Sequence, residues 1–292
     1  MKKSAIFFLI LFFTLGFKSY GWGFFAHKLI NQQAVFSLPP QMMGFYKLHM
    51  EQITDKAVDA DRRRHSDENE APRHYIDIDI YGDSAIYTMP RYWKEAVMTY
   101  TEDTLMTYGI VPWHVNRVRY WLIDAFKQGE INKIIQYSAD LGHYIADAHV
   151  PLHTTENYNG QLSGQEGIHA FWETRLPELF AEDFNLLVGS AEYIEHPQLD
   201  IWNGVEGAHL ALDSVLSFER QLSLQFTEDE KFSYEEKKDR TSRVYSKEFS
   251  SAYHQKLNGQ VQRQMKRSIK LVADFWYSCW IEAGQPDLNN LD

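Results

Sequence analysis

The sequence predicts an all-α protein, one mostly helical domain built from long amphipathic helices. Three observations carry that expectation. Apolar side chains recur at helical spacing in three separate stretches: Val115, Val118, Leu122 and Phe126; Ile131, Ile134, Ile135, Leu141 and Ile145; and Val261, Met265, Ile269, Val272 and Trp276. The chain has 292 residues, 44% hydrophobic and 15% aromatic, which is enough to bury a large core and too apolar for a disordered chain. No internal repeat, charge block or Pro/Ser-rich linker divides it, so a single domain is expected over residues 22–292.

Taken in order, residues 1–21 (MKKSAIFFLILFFTLGFKSYG) read as a secretory signal peptide, with two leading lysines, an apolar run from Ala5 to Phe17 and small residues at Ser19 and Gly21. The run is shorter than the ~20 residues that span a bilayer, and no Cys offers a lipid anchor. A secreted or periplasmic protein without a transmembrane anchor after processing is therefore expected. Cleavage after Gly21 would make Trp22 the N-terminus, whose free α-amino group and carbonyl oxygen form a five-membered chelate for a metal ion. Loss of Lys2, Lys3 and Lys18 with a leader that holds no acid takes the net charge from −11 to −14. That balance excludes a large non-specific basic DNA-binding surface, although metal ions can still attract a phosphodiester locally.

Residues 22–39 begin a helix that places His27 near its start, and residues 43–64 follow as a second helix and a turn. Asp59 and Asp61 stand where that helix's apolar pattern stops. Arg62, Arg63 and Arg64 read as a solvated or carboxylate-paired run. Residues 71–82 (APRHYIDIDIYG) alternate in polarity and look like a short strand on period alone, with His74 followed by an aromatic ring and an acid. Residues 109–129 form a helix with Pro112 at its start, expected to pack on the next helix, 131–149. Residues 205–218 and 255–284 are helical by the same test, and residues 225–245 are charged and turn-like. The lone Cys279 excludes an intramolecular disulfide and should be buried.

Chemistry concentrates between Asp140 and Glu173. His143 and Asp147 lie four apart on a helix, an offset of about 40° that lets imidazole and carboxylate face one ion. Pro151 ends that helix, leaving His153 on the turn beyond it. His169 and Glu173, again four apart, open another helix after a Gly- and Asn-rich loop. Two such pairs joined by a third His suit a dinuclear or larger zinc arrangement. His49, His65, His114, His196, His209 and His254 lack partner spacing and read as structural or surface residues.

The combination of Trp22 with His27 five residues later, an ADxxR element at Ala60–Arg64, HYID at His74, HYIADAHVPLH at His143 and HAFWE at His169 resembles the superfamily of single-strand-specific three-zinc nucleases and zinc-dependent phospholipases C. The resemblance runs in order from Trp22 to Glu173. It implies an all-α fold with a trinuclear zinc cleft and three Zn²⁺ per chain. His74, His143, Asp147 and Asp61 would hold one zinc; the Trp22 amino and carbonyl groups, His27 and a bridging Asp147 the second; His153, His169 and Glu173 the third. The resemblance makes Asp147 and Asp61 the catalytic carboxylates, with Asp59 an alternative to Asp61 because it too precedes an arginine by three residues.

It further implies a zinc-dependent phosphodiester hydrolase in which a hydroxide bridging two zincs attacks phosphorus and the third zinc takes up negative charge. No GxSxG elbow, P-loop or HExxH signature points to another hydrolytic chemistry. The five-residue step from Trp22 to His27, His149, Trp172, and Tyr75 with Asp77 as a base-stacking and base-edge pair favour a nuclease acting on single-stranded nucleic acid. Glu at 173, the 16-residue step from His153 to His169 and the absence of disulfides point to the alternative, a phospholipase C acting on phospholipid head groups. A non-catalytic exported zinc-binding protein is the second alternative. No stable protein partner is expected.

Overall fold

The computed structural model describes residues 23–237 and 240–291. The signal-peptide reading of residues 1–21 and the ligand reading of Trp22 lie outside the described residues. Helix accounts for 68% of the structure and strand for 4%, so the protein is all-α as its sequence predicts.

The chain begins with α1 (Phe24–Val35), whose inner face buries Ala26, His27, Ile30, Ala34 and Val35. The single helix expected over residues 43–64 is instead three. These are α2 (Pro40–Leu48), α3 (Met50–Lys56) and α4 (Asp59–Arg63), with breaks at His49 and Val58, whose ψ angles of 12° and 10° depart from the helical value. The expected strand at 71–82 is also absent. Ala71–His74 and Ile78–Tyr81 are 3₁₀ turns, and the extended residues between them bond to no strand: Ile76 N–H donates to the His153 carbonyl and Asp77 N–H to the Tyr108 carbonyl. Ile76 and Ile78 enter the core, Asp77 is buried beside them, and Asp79 turns out to fasten a loop.

Two small helices, α5 (Trp93–Tyr100) and α6 (Glu102–Tyr108), lead to α7 (Val111–Gln128), which packs antiparallel to α8 (Ile131–Asp147) as the periodicity predicts. Beyond α8 come a 3₁₀ turn at Pro151–Thr154 and a helical segment from Ile168 to Phe180. That segment contains a π turn, Phe171–Arg175, and ends as α9 (Leu176–Phe180). Then follow α10 (Pro197–His209), α11 (Leu212–Ser223), α12 (Lys247–Lys256) and α13 (Gln260–Glu282). The long helix read over 255–284 is split at Asn258 and Gly259, both with positive φ. Every residue of the predicted stripe from Val261 to Trp276 is buried, as is Cys279, and α13 packs on α1, α7 and α8.

The segment read as charged and turn-like contains an antiparallel hairpin, β1 (Phe232–Lys237) with β2 (Arg240–Tyr245), pairing Phe232 with Tyr245. Its charges conceal it in sequence because they are neutralised only in the fold, Arg243 by Glu228 within the same segment and Glu235 by Arg175, 60 residues earlier.

Glycine allows two approaches that shape the site. A Cβ at Gly142 on α8 would lie 1.9 Å from Asn31 Oδ1, so only glycine lets α1 sit this closely on α8. Asn31 fills the contact by donating to the Ala139 carbonyl, and one turn earlier the ring of His27 stacks 3.9 Å from that of His143. A Cβ at Gly23 would strike Thr174, and Gly23 N–H donates to the Glu173 carbonyl. The start of α1 is thus pinned against the π turn.

Candidate metal centre

Six separate elements bring their polar groups to one buried place: His27 from α1, Asp61 from α4, His74 from the first 3₁₀ turn, His143 and Asp147 from α8, His153 from the turn beyond it, and His169 with Glu173 from the π turn region. All eight side chains are buried. They form overlapping groups able to hold a metal ion: His27, Asp61 and His143; His74, His143 and Asp147; and His153, His169 and Glu173.

The distances match a coordination shell. Zinc–ligand bonds of about 2.0–2.2 Å at tetrahedral angles set neighbouring donor atoms roughly 3.3–3.6 Å apart. In the third group His153 Nε2, His169 Nε2 and Glu173 Oε2 form a triangle with sides of 3.1, 2.9 and 3.6 Å, close to one face of such a tetrahedron. In the second, His74 Nδ1, His143 Nε2 and Asp147 Oδ2 lie 2.8–3.2 Å apart, with Asp61 Oδ1 at 3.9 Å from both histidines. The other Asp147 oxygen, Oδ1, faces His27 Nε2 at 3.4 Å. One carboxylate therefore presents one oxygen to each of two adjacent groups.

The histidines are oriented from behind. His143 Nδ1–H donates to the Ala57 carbonyl, His153 Nδ1–H to the His74 carbonyl and His169 Nδ1–H to the Tyr158 carbonyl. Each bond leaves the Nε2 lone pair facing inward, the arrangement typical of metal-binding imidazoles. His74 is turned the other way, with Nδ1 inward and Nε2 3.5 Å from the buried Glu70 carboxylate, which also accepts from Tyr144 and Arg73. Sequence reasoning missed Glu70. Its signal was there, an acid four residues before His74.

The electrostatics call for a cation. Both oxygens of Asp61, both of Glu173 and Oδ1 of Asp147 are buried without a hydrogen bond from any described residue. Burying unpaired carboxylates costs several kcal/mol each unless a cation compensates. Burial pushes the Glu173 carboxyl up to about 8, outweighing the pull of His153. Asp147 goes the other way despite burial, held well below the usual carboxylate range by His143 and His153. Burial lowers His27 and His169 to about 4, keeping them neutral and able to donate a lone pair. His143 is raised to about 9, because Asp147 and Asp61 outweigh its own burial. The buried carboxylates thus lean on a charged His143, while His27 and His169 turn neutral lone pairs inward. The residues fit a divalent metal.

The structure also separates the residues that the sequence left open. Asp61 is fully buried within the cluster, whereas Asp59 is partly exposed and paired to Arg62 at 2.9 Å. The arginine run is carboxylate-paired: Arg63 contacts Glu70 and Asp140, and Arg64 approaches Asp61 at 3.9 Å. His149 belongs elsewhere. It donates to the Ile145 carbonyl and packs over Gly204 at the wall of a separate cleft of about 710 Å³ between α10 and α13. Trp172 is buried in the core, its indole N–H donating to Gln260, so it forms no part of a substrate wall. His209 bonds Thr154, and His114 lies edge-on to Tyr144.

Tyr75 is half-buried, with its hydroxyl bonded to the Thr107 carbonyl. Asp77, two residues on, has its carboxyl pushed up to about 7 by burial and then by Asp79 and Glu156. Asp79 fastens the neighbouring loop by accepting from Thr155 Oγ1 and Glu156 N–H. That loop carries Tyr158, which the sequence did not single out. Its ring is 46% exposed and lies edge-on to His169 at 5.9 Å.

Neither a protein-family model nor a curated protein sequence matches the chain. Fold and site by themselves define an all-α protein with buried His, Asp and Glu groups able to hold metal ions. No helix among the described residues is long and apolar enough to cross a membrane.

Proposed function

We propose that the protein is an exported zinc-dependent phosphodiester hydrolase of the three-zinc nuclease and phospholipase C type, acting on single-stranded nucleic acid. The observation that carries this reading is the sharing of Asp147 between two adjacent groups of inward-facing donors, with a third complete trio beside them. Adjacent metal sites bridged by a carboxylate suit in-line attack at phosphorus. His74, His143, Asp147 and Asp61 would hold one zinc, His27 with Asp147 and the Trp22 amine and carbonyl a second, and His153, His169 and Glu173 a third. Bound zinc supplies Lewis acidity toward the phosphodiester. The chain's own groups supply orientation: the Ala57, His74 and Tyr158 carbonyls fix three imidazoles, and Arg64 sits beside Asp61. Tyr75 offers a face for a base to stack on, and Asp77, near-neutral and partly protonated, can both donate to and accept from a base edge.

The test is hydrolysis by the purified processed chain of single-stranded DNA, RNA and phosphatidylcholine, with and without chelator. Chelator-sensitive cleavage of the nucleic acids is expected. Turnover of phosphatidylcholine alone would assign the phospholipase branch, to which Glu173 points. Zinc binding without turnover of any of the three would leave a non-catalytic metal protein.

A further inference from the structure

The strands of residues 232–237 and 240–245 pair only with each other, and a two-stranded hairpin by itself is marginally stable at best. What the hairpin touches explains why it is kept. It grips, at both ends and in the middle, the short segment that carries His169 and Glu173. On the near side, Lys231 at the hairpin's base pairs at 2.7 Å with Glu219, a carboxylate with no exposed side-chain surface. Glu219 in turn holds the side-chain amide of Gln165, whose amide also reaches the Leu216 carbonyl. Gln165 lies four residues before His169. On the far side, Arg175, two residues after Glu173 and largely buried, makes a two-pronged ion pair with Glu235 of β1 at 2.9 and 2.6 Å. Between these latches the ring of Phe171 stacks on Tyr245 of β2 at 3.8 Å with an interplanar angle of 12°.

The gripped segment contains the π turn Phe171–Arg175, which begins two residues after His169. In an α-helix residues four apart are offset by about 40° around the axis. A π turn has more residues per turn, so each residue rotates less and positions four apart come nearer to eclipse. Such turns are rare and usually single, because they are poorer than the α-helix on either side. Here the wider turn aims His169 and Glu173 at the same point while sending Phe171, Trp172 and Arg175 outward to the hairpin and core. Something must hold it against relaxation to α, and the contacts just described are attached to the residues that would have to rotate.

We infer that the hairpin is a strap that holds the π turn, and that Arg175 with Glu235, and Lys231 with Glu219 and Gln165, are positioning residues for the His153–His169–Glu173 site. The inference rests on the metal reading of that trio. None of these five residues belongs to the trio itself, so the strap acts through geometry. It predicts a selective weakening: loss of a latch loosens one metal and leaves the other two held by α1, α4, α8 and the 3₁₀ turn at His74.

The test is zinc titration of the purified full-length processed chain against a competing chromophoric chelator, which reads each ion's affinity without any activity assay. Glu235→Gln, at a partly exposed position, keeps shape and removes one half of the ion pair. It is expected to weaken one of the bound zincs by about 10–100-fold, the usual range for groups that orient a ligand from behind, with the other ions unchanged. Arg175→Glu should do the same, and the exchanged pair Arg175→Glu with Glu235→Arg should restore affinity, which a purely destabilising change would not. Thermal unfolding and circular dichroism of the Glu235→Gln chain check that the helices persist. Unchanged affinity for all ions in a folded Glu235→Gln chain overturns the strap, as does equal weakening of all three. A wild-type chain that binds no zinc overturns the metal reading instead, and with it the basis of the strap.

Discussion

Replacing Asp147 with Asn keeps the side chain's shape and removes one negative charge from the centre of the site. Its Oδ2 lies 2.8 Å from His74 Nδ1 and 3.2 Å from His143 Nε2, and its Oδ1 lies 3.4 Å from His27 Nε2, so the change turns one donor oxygen into an amide NH₂ and the other into a neutral carbonyl, weakening both metal groups. Leaving the opposite charge of a buried pair uncompensated costs about 3–5 kcal/mol. At about 1.4 kcal/mol per decade, that is roughly 2–3.5 decades of affinity, felt by two ions. Glu173→Gln is the matched control, since Glu173 is equally buried but faces only His153 and His169. Zinc content after equilibration with a buffer of fixed free zinc should fall by about two ions per chain for Asp147→Asn and about one for Glu173→Gln, with activity lost more completely in the first. The metal-free chains should separate in the same order. Asp147 is held ionised by His143 and His153, so its replacement removes a favourable pairing. Glu173 is pushed up to about 8 by burial, so a neutral Gln costs little there. If both variants lose the same single ion, or if Asp147→Asn retains all three, Asp147 does not serve two metals and the two-group geometry has been misread.

Three further outcomes are expected. A chain beginning Met-Gly before Trp22 keeps every side chain of the site but turns the Trp22 amine into an amide; it should lose about one zinc and most activity, both recovered on trimming to Trp22, and full metal content in the extended chain would refute the N-terminal ligand. Asp77 in the folded chain holds a proton up to about 7, above its ordinary 3.8, so its own contribution to stability is fully present below pH ~4 and is lost as pH rises toward 7, by at most about 1.4 kcal/mol per pH unit. In urea unfolding of the chelator-treated protein, Asp77→Asn should flatten that fall, and an identical pH profile in the two chains would sink the assignment. Tyr75→Ala should raise KM for single-stranded DNA by about 5–150-fold, the 1–3 kcal/mol of one stacked base, and a KM unchanged within twofold would remove Tyr75 from the substrate face.

Local periodicity and local spacing are legible in the chain before it folds. The helices α7, α8 and α13 follow from apolar repeats within each of them, and the buried stripe from Val261 to Trp276 lies as its spacing predicts. The pairs His143 with Asp147 and His169 with Glu173 are likewise visible because a helix turns residues four apart to one side, and both pairs converge in the structure. Tertiary structure decided the rest, because it depends on groups distant in the chain. Asp59 and Asp61 carry the same side chain two residues apart, and only packing places one beneath the histidines and the other toward Arg62. The alternation at residues 75–80 has the period of a strand, yet its backbone groups find partners at His153 and Tyr108 and so form no ladder. The hairpin at 232–245 is a strand pair that its own charges disguise, made stable by Arg175 and Phe171 some sixty to seventy residues earlier. Glu70 and the carbonyls of Ala57, His74 and Tyr158 orient the imidazoles from backbone or side-chain positions that have no signature of their own. A ligand's identity is written in one residue, but its aim is set by whatever the fold brings up behind it.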